Sequence, residues 1–62
     1  MSAKSHDIII EFTAIGSSVK VTAVDPHTLV EVSIVGPASA GEETLKRNAV
    51  KKLQYVLNKK KS

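Results

Sequence analysis

Sixty-two residues with a net charge of +3 and no cysteine make one small domain, without disulfides or thiolate chemistry. No apolar run approaches the ~18 residues of a membrane span, and the opening MSAKSHD lacks the apolar stretch of a signal peptide. These exclusions predict a cytoplasmic chain with no membrane partner.

Residues 1–6 are polar and small and are expected to be disordered. The run from Asp7, DIIIEFTAI, alternates: Ile8, Ile10, Phe12 and Ala14 share one parity, and Ile9, Glu11, Thr13 and Ile15 the other. That spacing predicts a strand with one buried and one mostly wet face. Gly16-Ser17-Ser18 signals a turn. VKVTAVD then predicts a second strand, with Val19, Val21 and Ala23 inward and Lys20, Thr22 and Val24 outward.

Asp25-Pro26-His27-Thr28 forms the next turn, proline presetting φ and Asp25 free to bond the backbone ahead of it. LVEVSIV predicts a third strand, with Val30, Val32 and Ile34 inward and Glu31, Ser33 and Val35 outward, ended by Gly36-Pro37. Short turns between alternating runs imply an antiparallel meander.

Only the segment from Gly41 has helical periodicity. Leu45, Ala49, Leu53, Val56 and Leu57 fall on one side of a 3.6-residue helix. Its start is either a capping box from Ser39 to Glu42 or an N-cap as late as Gly41. The predicted fold is therefore α+β: a three-stranded antiparallel β-meander with one C-terminal helix on one face, in the order βββα. The domain spans residues 7–59, followed by a basic tail, 60–62. Its expected core is Ile8, Ile10, Phe12, Val21, Ala23, Val32, Ile34, Leu45, Ala49, Leu53, Val56 and Leu57.

The stretch from Glu11 to Lys60 resembles a family of short bacterial proteins. The likeness is carried by EVSIVGPAS, from Glu31, and by the LKR…A…KL.YVL helix from Leu45 to Leu57. It implies a small cytoplasmic domain, and no activity comes with it. That family's second turn reads D-P-x-T-G, and Leu29 stands here in the glycine position. Leu29 is therefore either held left-handed, at a cost of about 1–2 kcal/mol, or the turn has a different shape. A looser similarity, to the meander and last helix of double-stranded RNA-binding domains, rests on βββα order and a basic helix. The first helix of that fold has no counterpart here, and Glu42-Glu43-Thr44 stand where its basic cluster would be.

Two surfaces are candidates for binding. Residues 46–61 carry Lys46, Arg47, Lys51, Lys52, Lys59, Lys60 and Lys61 with no acid among them. Arg47, Lys51, Lys52, Tyr55, Lys59 and Lys60 are the candidate nucleic-acid-binding residues, able to meet phosphates without sequence preference. Acids at the start of the helix and lysines at its end equally suit the helix dipole and a solvated face. The second candidate is the pair of strand edges together with the partly apolar outer sheet face of Ile9, Ile15, Val24 and Val35.

His6, His27 and Asp7 do not make a metal-ligand set, and no serine or threonine has a base at a recognisable spacing. The thin core leaves little room for a pocket of ~300 Å3. The expectation is a non-catalytic domain with no cofactor, metal or small-molecule substrate. Its partner would be a protein or a second copy, with nucleic acid the alternative.

Overall fold

The computed structural model describes residues 7–61. The segment 1–6, which includes His6, lies outside the described residues, as does Ser62. Three seven-residue strands, β1 (Ile9–Ile15), β2 (Ser18–Val24) and β3 (Glu31–Pro37), form one antiparallel sheet in the order β1-β2-β3. A single 3-10 turn, Ala38–Ala40, leads to a 20-residue helix, α1 (Glu42–Lys61). The architecture is the expected βββα.

Each connection has a local cause. Gly16 at φ +59 is the first residue of a two-residue loop closed by the Ile15–Ser18 pair, and Ser17 keeps negative φ. That is the glycine-first hairpin turn, whose twist matches that of its strands. In the β2–β3 loop the Asp25 N–H donates to the Val30 carbonyl at 3.0 Å, and the Leu29 N–H donates to the Asp25 carbonyl at 2.7 Å. The Asp25 carboxylate accepts the His27 N–H at 2.9 Å, and the Thr28 hydroxyl accepts the Val30 N–H at 3.3 Å. Leu29 sits at φ +64, so the left-handed alternative is the one realised. Because the loop runs through Leu29, β3 begins at Glu31, later than the alternation suggests, and continues through Gly36 to Pro37.

α1 starts at Glu42 with Gly41 at its N-cap, where the Gly41 carbonyl accepts the Leu45 N–H at 3.2 Å. Ser39 lies within the 3-10 turn, so the Ser39–Glu42 capping box does not form. Gly36 allows the helix to dock. A Cβ there would lie 2.5 Å from Leu45 Cδ2, so the bare backbone of β3 lets Leu45 press against the sheet.

Val21, Ala23, Val32, Leu45, Ala49 and Leu53 are buried, with Ile8, Ile10, Val19, Val30, Ile34, Val56 and Leu57 packed around them. Among the described residues every buried side chain is apolar. Phe12 corrects the expected core, because it remains 39% exposed, and Ala14 beside it is exposed as well. α1 packs mainly over β2 and β3; on β1 Ile10 stays partly buried against the core, while Phe12 and Ala14 are left exposed. A helix about 10 Å across spans roughly two strands spaced ~4.8 Å apart, not three. The short connection from β3 and the Gly36–Leu45 contact hold it on the β3 side.

Candidate interaction surfaces

The first surface is β1. Parity follows from the tight turn: Ile15 and Ser18 close a two-residue hairpin as a hydrogen-bonded pair, so Thr13, Glu11 and Ile9 also bond toward β2. The N–H and C=O groups of Ile10, Phe12 and Ala14 then point to the free edge. The same alternation carried across the sheet leaves the Ser33 carbonyl on the outer edge of β3. There the Lys52 ammonium donates to it at 3.1 Å. Pro37, last in β3, has the same parity as Ser33, so its missing N–H removes no ladder bond and gives that edge no donor.

The two edges therefore differ. β3 is blunted by a lysine and a proline, two common protections against edge pairing. β1 carries exposed apolar side chains on both faces: Ile9 is 51% exposed and Ile15 53% on the outer face, where Glu11 and Thr13 lie between them, and Phe12 and Ala14 are exposed on the inner face. On the outer face Thr22 and Ser33 hydroxyls meet at 3.1 Å, and Val35 is exposed nearby.

The second surface is the outer face of α1. Arg47, Lys51, Tyr55 and Lys59 recur every four residues, making a solvent-facing ridge about 18 Å long. Tyr55 is exposed, and the Lys59 ammonium lies 5.7 Å from its ring centroid, within cation–π range. Lys52 leaves the ridge to bond β3. Lys46 lies elsewhere, 3.9 Å from the Glu43 carboxylate. The backbone of Lys60 continues the helix, and its side chain lies outside the described residues. Thus Arg47, Lys51, Tyr55 and Lys59 share one face, and Lys52 departs from the expected set. His27 sits exposed in the β2–β3 loop, and no group of three or more acids, histidines or cysteines among the described residues could hold a metal.

A short open meander with one helix on part of one face places the chain among small α+β domains. Residues 5–60 match the family described as Domain of unknown function (DUF6898), and the chain belongs to that family. No curated protein and no solved structure matches the chain. Among the described residues no helix is long and apolar enough to cross a membrane.

Proposed function

We propose that the chain is a non-catalytic protein-interaction module whose binding surface is the free edge of β1 and the apolar strip beside it. The observation that carries this reading is the offset of α1. Val21 and Ala23 on β2 are fully buried beneath the helix, whereas Phe12 on the neighbouring strand is left open next to unpaired backbone groups. An exposed edge with alternating apolar side chains suits strand addition, in which main-chain bonds give affinity and side chains give specificity.

Affinity capture from nuclease-treated host extract tests it. Phe12→Lys should lose the protein that the wild type retains, while Lys51→Ala should keep it. The reverse pattern would move the binding surface to the helix. The ridge of Arg47, Lys51, Tyr55 and Lys59 is the surface that a nucleic-acid-binding role would use. Two features weigh against that role: Lys52 is already engaged with β3, and the helix opens with Glu42 and Glu43.

A further inference from the structure

Resting on the protein-interaction reading, we infer that the occupant of the β1 edge is a second copy of this chain, paired antiparallel through β1 with Phe12 on the two-fold axis. A two-fold strand pairing sets each residue opposite one whose number makes a constant sum with its own. The sum of 24 is the one that uses all of Ile9–Ile15. In that register Phe12 faces the second copy's Phe12, and Ile10 faces its Ala14. These are the residues whose N–H and C=O groups point to the free edge, so each pair exchanges two main-chain hydrogen bonds.

The side chains agree with that register on both faces. On the outer face the exposed Ile9 meets the second copy's Ile15, covering the two large apolar side chains that β1 leaves in water there. Glu11 meets the second copy's Thr13, so no like charges stand opposite. Sliding by one register in one direction sets Glu11 against the second copy's Glu11. Sliding in the other sets it against Ile15 and carries Ile9 past the strand end. On the inner face the two Phe12 rings adjoin beside the small Ala14, over the floor that α1 does not reach. The interface is isologous and joins two three-stranded sheets into one of six. β3 does not compete for the pairing, because Lys52 and Pro37 occupy its edge.

Thr13 offers a test that leaves the monomer intact. Within the chain Thr13 pairs with Lys20, so Thr13→Glu sets opposite charges across β1 and β2. Across the two-fold the same change sets glutamate against Glu11 twice, which should weaken dimerisation by about 2- to 30-fold. The chain has no cysteine of its own, so Glu11→Cys and Thr13→Cys can report distance. Chains carrying one substitution each, mixed and mildly oxidised, should cross-link. Neither alone should, since Glu11 and the second copy's Glu11 stand on a diagonal of about 7–8 Å, beyond disulfide reach. Sedimentation should show a concentration-dependent dimer that Phe12→Lys abolishes while circular dichroism stays native.

A wild type that stays monomeric up to about 1 mM overturns self-pairing. The wider reading still stands in that case if Phe12→Lys stops retaining a host protein that the wild type retains. A dimer that cross-links through Arg47→Cys and not through the Glu11–Thr13 pair overturns both.

Discussion

Leu29 is the residue at which the chain works against its own backbone. It is 77% exposed, so its side chain gains little from packing, yet it holds φ +64 because the Asp25 carbonyl takes its N–H and Val30 must turn back to pair with Asp25. Glycine there would remove about 1–2 kcal/mol of left-handed strain and return roughly 0.5–1 through the freer unfolded chain. Leu29→Gly should therefore stabilise the domain by up to about 1.5 kcal/mol, read as a higher urea midpoint at unchanged slope. Gly36 presents the opposite case. Gly36→Ala drives a methyl into Leu45, which is buried and has little room to yield, and should cost about 1–3 kcal/mol. Leu45 methyl shifts in NMR spectra should move with it. Both glycine positions were marked in the sequence, one by the leucine that replaces it and the other inside the EVSIVGP block. The block reads as a strand end at Gly36-Pro37, whereas β3 runs through both residues and the glycine admits Leu45 of the helix.

The elements divide by how local their causes are. Strand alternation and the helical stripe each repeat within a single segment, and they alone mark Val21, Ala23, Val32, Leu45, Ala49 and Leu53 as core. Phe12 shares the inward parity but not the burial. Parity fixes the face of the sheet, whereas burial depends on where along that face one helix comes to rest, which a remote contact at Gly36 decides. Likewise a 3.6-residue period put Lys52 among the outward cations, but its reach to the Ser33 carbonyl depends on the distance between α1 and β3. Leu53→Ala should cost about 2–5 kcal/mol, and Arg47→Ala, on the solvent side, no more than about 0.5. Denaturant titration separates them, and equal losses would mean a rotated helix. The ridge of α1 should bind RNA and DNA alike, weakly, with affinity falling steeply as salt rises and gone at physiological ionic strength. Gel shifts across a salt series check this. Sub-micromolar binding that survives such salt, and is lost in Lys51→Ala, would reinstate the helix as the functional face.

At the scale of the whole molecule, stability on the order of 3–9 kcal/mol rests on six buried side chains, so surface and core are hardly separable. A domain this small that leaves part of one strand's inner face exposed has an incomplete layer, and association offers a way to complete it. Thermal midpoints should then rise with protein concentration in the wild type and stay level in Phe12→Lys. The bond from Lys52 to Ser33 bears on a different property, the length to which an assembly grows. A sheet with two adhesive borders adds units without end, whereas a sheet with one stops after its first partner. In this chain a single ammonium and one proline stand at the border where such growth would continue. Lys52→Ala should therefore leave the domain folded and the pair intact, and yet allow slow thioflavin-positive fibres to form where the wild type stays clear. The side chain that seemed made to hold a phosphate would then owe its place to setting the number of copies in the assembly.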